Sequence, residues 1–305
     1  MKNKSPCPIC HSESIESHMF TYDFRLKTTK DKIFLSKCNN SDCMHIWSAL
    51  IPSEEEIKSF YKNDFYKHSK KQTDPITSLN RNNFLSCLRK YGGNKILDVG
   101  AGDGSFVSFL REKGFNAKGI EPSREGREMA KKLYSLDLIE KNISDFDPKV
   151  EKYDIINLSH VLEHVQDPMK MLKKIIDLLE DHGSLTLEVP NSNSWEMKIF
   201  KSIYIHIDSP RHIHHFNKKS LSILLSNAGF SSESNCENLS IIQFPLSGIR
   251  SIENFLDFYS KNSIIFKFII KLMAVPYAFL SIFINSLASN KICLSGAYSK
   301  KLIKK

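Results

Sequence analysis

The stretch KILDVGAGDGSF, residues 95–106, constrains this chain more than any other. Ile96, Leu97 and Val99 form an apolar run with Asp98 near its carboxyl end, the pattern of a strand buried on both faces. Gly100, Gly102 and Gly104 follow, two apart. Phe106, Val107, Phe109 and Leu110 then recur at helical spacing, with Gly114 placed to end the helix. Glycines between a strand and a helix let the backbone approach a ligand closely, and the helix N-terminus favours anionic groups. The spacing is not that of a dinucleotide fingerprint, because Ser105 stands at the third glycine position and the glycine falls one residue early. The Gly-Lys-Ser/Thr of a P-loop is also absent. By itself the loop fits either a bound ligand or a tight ligand-free turn.

The following segments repeat the strand–helix alternation. NAKGIEPS reads as a second strand ending at Glu121, which lies 21 residues after Gly100. An acidic side chain there can accept both hydroxyls of a ribose. Short strands are expected near 136–140 and over 153–158, then the helix MKMLKKIIDLLEDHG and a fifth strand in GSLTLEVPN. This alternation predicts a doubly wound parallel sheet with the ligand at the carboxyl ends of its strands.

LDVGAGDGSF, GIEPS, YDIINLSHVLEHVQDP, LEVPN and RHIHHFNKKSLSILLSNAGF together resemble class I S-adenosylmethionine-dependent methyltransferases, strongly over residues 92–236. Within that class they are similar to the branch of ubiquinone-pathway and bacterial glycan enzymes. The resemblance implies an α/β, Rossmann-like, seven-stranded sheet whose last strand is antiparallel. Strand six would lie near 230–238 and strand seven near 291–299. It implies that Gly100, Gly102 and Gly104 wrap the methionine moiety, that Asp98 supports the loop and that Glu121 binds the ribose. Asn142 and Ile143 fall where the family contacts adenine, although an Asp is common at the place of Asn142.

Four of the seven cysteines cluster near the N-terminus, as Cys7-x2-Cys10, a 27-residue gap, and Cys38-x4-Cys43. Such pairs let two knuckles present four thiolates to one tetrahedral zinc; His11 and His45 are alternative ligands. MKNKSPCPICHSES lacks the apolar core of a signal peptide, so a reducing, cytoplasmic setting is expected and disulfides are not. Cys87, Cys236 and Cys293 stand apart and read as core or surface thiols. CPIC with the later cysteines, Trp47 and PSEEEIKSFY resembles the zinc-ribbon start of sugar and surface-polysaccharide methyltransferases. The expected organisation is a zinc-ribbon unit over 1–50, a linker with leading helices over 51–91, and a methyltransferase domain over 92–305 with an apolar insertion at about 245–290. Zinc closed by four thiolates has no open position, so a structural or substrate-guiding role is expected rather than a catalytic one.

Methyl transfer to an oxygen of high pKa gains from a general base. SPRHIHHFN offers His212, His214 and His215, and the turn after the fourth strand offers His160 and His164. Histidine is basic near neutrality. His212 is the first candidate and His160 the second; the others read as packing or capping residues. The expected reaction is O-methylation of a glycan or its nucleotide- or lipid-linked precursor. Two other readings are a ribosomal RNA methyltransferase with a zinc-binding N-terminus, and a non-catalytic zinc-ribbon interaction protein. The net charge of +9 permits nucleic acid, anionic lipid or acidic glycan. It is carried largely by scattered lysines with no Arg/aromatic stripe, which does not favour nucleic acid.

Residues 263–289, SIIFKFIIKLMAVPYAFLSIFINSLAS, interrupt the expected final hairpin. The uncharged part, 272–288, spans about 26 Å as a helix, short of the roughly 30 Å hydrocarbon core, and Pro276 interrupts it. Ser263, Lys267, Lys271, Ala274, Ala278, Ser281, Asn285 and Ser289 fall on one narrow stripe, and the remaining surface is apolar. This pattern fits a helix lying in a membrane interface, at the inner face of the membrane. It equally fits packing on the domain itself or on a second subunit of a homo-oligomer.

Overall fold

The computed structural model describes residues 6–60, 75–231, 246–259, 264–287 and 291–301. In chain order its elements are β1 (Ile15–Thr21), β2 (Ile33–Cys38), β3 (Ile46–Ser48), α1 (Glu54–Ser59), α2 (Pro75–Tyr91), β4 (Lys95–Val99), α3 (Ser105–Glu112), β5 (Asn116–Ile120), α4 (Arg124–Tyr134), β6 (Tyr153–Ser159), α5 (Pro168–Leu178), β7 (Leu179–Pro190), α6 (Trp195–Phe200), β8 (His214–His215), α7 (Lys218–Ala228), α8 (Ser247–Tyr259), α9 (Ile264–Leu287) and β9 (Cys293–Ser299). Two compact units emerge. One comprises Met1–Lys62, Pro190–Leu221 and Ile242–Leu294, the other Asn63–Val189, Ser222–Ile241 and Ser295–Lys305.

The second unit holds the α/β sheet, in the order β5-β4-β6-β7-β9. β4 pairs in parallel with β5 and β6, and β6 with β7. The apolar run of β4 is buried as a central parallel strand requires: Ile96 and Leu97 are all but inaccessible. Val107 and Leu110 of α3 and Ala130 of α4 pack into the same core. Helix starts are fixed locally. Ser123 Oγ accepts from Gly126 N at 3.3 Å before α4, and Asp167 accepts from Lys170 N at 2.9 Å before α5, whose first residue is Pro168. β9 runs antiparallel to β7: Lys300 N donates to Gly183 O and Asn191 N to Ile292 O, so one strand ascends as the other descends.

Five strands form this sheet among the described residues, not seven. The strand expected near 136–140 is reduced to one parallel bridge, Ile139 to Ile120. The sixth is represented by the antiparallel bridge of Phe230 to Lys300; the rest of its expected span, 232–238, lies outside the described residues.

The first unit corrects the linear division expected at residues 50 and 91. Its four-stranded antiparallel sheet, β1-β2-β3-β8, recruits a strand from far along the chain. Ile46 pairs with His215 and Trp47 with His214. Leu35, Ile46, Met197, Tyr204 and Ile207 form its core, and Tyr22 and Phe24 pack on Phe255 and Phe258 of α8. Arg211 is fully buried, with its guanidinium on Asp23 Oδ1 at 2.7 Å and Asp208 Oδ1 at 2.6 Å. Forked pairing of this kind is what allows a buried cation.

Candidate active site

The glycine loop follows β4 at the carboxyl edge of the parallel strands. Gly100, Gly102 and Gly104 have φ of 71°, 57° and 74°, all left-handed. A side chain at Gly100 would reach 2.7 Å from Val161 Cγ2, and one at Gly104 2.8 Å from Ala130 Cβ. These two glycines are thus demanded by the unit's own packing. Gly102 is tied to the candidate ligand residue instead: its N–H donates to Glu121 Oε2 at 2.8 Å.

Glu121 is buried, and its other oxygen, Oε1, accepts from Ser123 N at 2.8 Å. Burial raises its carboxyl, opposed by those two N–H groups. Each carboxylate oxygen has two acceptor positions, so one on each stays available for a diol after the backbone is satisfied. The cradle therefore fits a ribose. Asp98 does not contact the loop through a hydrogen bond. Its Oδ1 accepts from Asn157 Nδ2 at 2.7 Å, and Asn157 Oδ1 accepts from Thr186 Oγ1 at 2.8 Å, forming a buried polar row across β4, β6 and β7. Burial pushes Asp98 up to about 7. Ile143 is buried and Asn142 exposed, on the turn after the Ile139 bridge to β5, the strand that ends before Glu121. Asn142 N donates to Asp145 Oδ2 at 2.9 Å.

His160 follows β6 with φ 55°, uncommon for a residue with a side chain. Its Nδ1 is 3.2 Å from Glu163 Oε1 and its Nε2 3.3 Å from Glu188 Oε1. Burial opposes its charge, but the two carboxylates prevail and raise the imidazole to about 10. At neutral pH His160 is therefore a cation with both nitrogens engaged, which departs from the expected neutral base. Glu163, three residues on from His160, is visible in the sequence beside His164, whereas Glu188 is not singled out there.

His212, His214 and His215 belong to the first unit, the glycine loop, Glu121 and His160 to the second. His212 Nδ1 lies 2.8 Å from the His206 carbonyl. A carbonyl only accepts, so that nitrogen carries a proton; Nε2 lies 3.8 Å from Asp208 Oδ2. His214 Nδ1 is 3.1 Å from His45 Nε2, and burial lowers His215 to about 3. Both read as core residues.

The four N-terminal cysteines converge. Their sulfurs all lie within 4.8 Å of one another, with Cys7–Cys43 at 3.8 Å and Cys10–Cys38 at 3.5 Å. A tetrahedral ion with bonds of about 2.3 Å sets neighbouring sulfurs roughly 3.8 Å apart, so the set fits zinc. His11 and Met44, each directly after the second cysteine of a pair, have φ of 58° and 50° and turn the two knuckles alike. His45 is occupied by His214 and stands outside the cysteine set. Cys293 is a buried free thiol, Cys87 is disulfide-bonded, contrary to the thiol reading, and Cys236 lies outside the described residues.

The family model described as a methyltransferase domain matches residues 71–235, more than half of the chain. The chain belongs to that family. The matched region is a methyltransferase domain of the class I, S-adenosylmethionine-dependent kind. The ubiquinone biosynthesis O-methyltransferase of Bradyrhizobium diazoefficiens is 30% identical over 141 residues, 44% of this chain and 54% of that protein. The enzyme of the same name from Actinobacillus pleuropneumoniae serotype 7 is 29% identical over 138 residues, 41% and 59% of the two chains. The chain thus spans little more than half the length of these relatives. Among solved structures, a Thermotoga maritima S-adenosylmethionine-dependent methyltransferase, a possible histamine N-methyltransferase, aligns with TM-score 0.42 and 22% identity over 51% of this chain and 72% of that one. The plantazolicin methyltransferase BpumL aligns with TM-score 0.46 and 16% identity over 82% and 91%.

Proposed function

We propose that the protein transfers a methyl group from S-adenosylmethionine to a hydroxyl oxygen of a glycan or of its nucleotide- or lipid-linked precursor. The observation that carries the cofactor is Glu121, with one acceptor position free on each oxygen beside the left-handed Gly102. The relatives' common name, an O-methyltransferase, supports oxygen as the acceptor atom. The N-terminal cysteine cluster supports the glycan class, through its resemblance to the start of polysaccharide-modifying enzymes.

Bound S-adenosylmethionine supplies a methyl group on a sulfonium, a carbon activated towards displacement. The chain's own residues do the rest. Glu121 fixes the ribose, the loop backbone follows the amino-acid end, and Ile143 offers an apolar wall for the base, with Asn142 as its polar neighbour. An oxygen acceptor of high pKa needs a base for its proton, and His212 is the candidate for that role. Cys7, Cys10, Cys38 and Cys43 would hold a structural zinc, which would tie the two N-terminal knuckles together.

The test is mass spectrometry of surface glycans and their carrier-linked precursors from cells with the intact protein and with Gly102→Arg. A mass increment of one methyl group that depends on the intact loop supports the reading. No difference in any glycan fraction refutes the acceptor class, and unchanged cofactor binding by Gly102→Arg refutes the loop assignment.

A further inference from the structure

Helix α9 is arranged inside out. Its described inward side is polar. Tyr277 Oη donates to Glu196 Oε1 at 2.6 Å, and Ser281 Oγ to the same oxygen at 3.4 Å. Asn285 Oδ1 accepts from Trp195 Nε1 at 3.1 Å, and Ser247 of α8 also donates to Glu196. Glu196, Ser247, Ser281 and Asn285 are all buried. Leu272, Met273, Val275, Phe279, Leu280 and Phe283 are each 52–71% exposed. At 100° per residue they fill one arc of about 160°, and from 272 to 283 no polar residue falls within it; Ser286, further along the helix, is the first that does. A helix of a protein surrounded by water turns the opposite way. The polar stripe read from the sequence is real at Ser281 and Asn285, but it faces the buried carboxylate.

The charge of the neighbouring sequence says what medium this face meets. Residues 246–305 carry nine Lys and Arg against two Asp and Glu, a net +7 of the chain's +9. A second copy would bring like charge to the same face, whereas an anionic lipid surface brings the complement. No helix among the described residues is long and apolar enough to cross a membrane.

We propose that α9 lies in the interfacial layer of an anionic membrane, with Leu272, Val275, Phe279 and Leu280 in the acyl region and the surrounding lysines on the headgroups. The Glu196 network holds the helix in this rotation, because turning it would bury the apolar arc only by exposing Ser281 and Asn285 and stripping Glu196 of its donors. Contact with lipid does not depend on methyl transfer, so its failure is separable from failure of the functional reading.

The experiment is flotation of the full-length protein with vesicles of equimolar phosphatidylcholine and phosphatidylglycerol, and with phosphatidylcholine alone. The intact protein should float with the anionic vesicles and lose most of that binding at high salt. Leu272→Ser/Phe279→Ser/Leu280→Ser should lower the partition about 100-fold or more, since three exposed side chains no longer enter lipid. Its thermal unfolding should be unchanged. Failure of the intact protein to float, or equal flotation of the triple variant, overturns the proposal. A dimer that the triple variant dissolves, with no flotation by the intact protein, assigns the face to a second copy and likewise overturns it.

Discussion

Replacing Glu121 with Gln tests the cofactor site at a single atom. In the folded protein Oε1 accepts from Ser123 N and Oε2 from Gly102 N, both at 2.8 Å. The carboxylate has four acceptor positions, two of which remain for the ribose. A glutamine oxygen offers two in all, and its NH2 offers none. One backbone N–H then faces the amide nitrogen, and one ribose hydroxyl loses its acceptor. The first loss is borne with and without ligand and appears as stability. The second appears only on binding, and a hydrogen bond to a charged acceptor contributes about 1.5–3 kcal/mol. The dissociation constant for S-adenosylhomocysteine should therefore rise about 10–150-fold. Isothermal titration calorimetry reads this directly, with circular dichroism confirming that the variant is folded. Because burial raises the Glu121 carboxyl, the intact protein should begin to lose affinity on acidification at a pH above the ordinary glutamate value, and the variant should not. A folded Glu121→Gln protein with a dissociation constant within about threefold of the parent would show that this carboxylate does not hold the ribose.

Freshly purified protein should carry about one zinc per chain, and Cys10→Ser should lower that content and the stability of the N-terminal knuckles; metal analysis showing none would remove the ion. Asp98 sits near 7 in the folded protein against an ordinary value of 3.8, so its buried charge costs nothing at pH 4 and progressively more as pH rises through 7. Asp98→Asn keeps the bond from Asn157 and should stabilise the protein by about 1–4 kcal/mol at pH 8 but not at about pH 4 in denaturant melts. His160, raised to about 10, contributes stability that is full below about 6.5 and lost as pH climbs through 10; His160→Gln should flatten that alkaline decline, and an NMR titration midpoint near 6.5 would refute the ion cluster. Arg211→Met leaves Asp23 and Asp208 buried without their cation and should cost about 3–5 kcal/mol in urea unfolding. His212→Ala should bind S-adenosylhomocysteine normally while losing about 10²–10⁴-fold in turnover; near-normal turnover would take the base from His212.

Much of the site was legible along the chain. The glycine loop, Glu121 and the cysteine pairs are local signals, because each depends on backbone conformation or on spacings of a few residues. β4 and β6 were legible for a related reason: a central parallel strand, covered on both faces, reads as a nearly continuous apolar run; β5, at the sheet edge, was legible from its place in the strand–helix alternation. The charge on His160 was not legible. Glu163 stands three residues away, but Glu188 arrives from β7, and only the parallel pairing of β6 with β7 sets it 3.3 Å from the ring. The partner of Asp98 was not legible either: Asn157 stands 59 residues on and comes directly across only in the register of β4 with β6.

The sequence by itself determined the chemistry on offer: a glycine cradle with an acidic partner, four cysteines in two knuckles, and one helix with a broad apolar arc. Tertiary structure alone decided how these were assembled. Residues 214–215 joined the N-terminal strands as β8, because hydrogen bonding along a sheet edge is indifferent to separation in the chain. It also decided which way α9 faces. Periodicity separates a helix's stripes but does not say which one is inside. That was settled by Glu196, a buried carboxylate from another helix, whose desolvation is tolerable only with hydroxyl donors around it. Ser247, Tyr277 and Ser281 supply them, and the apolar arc is left facing outward.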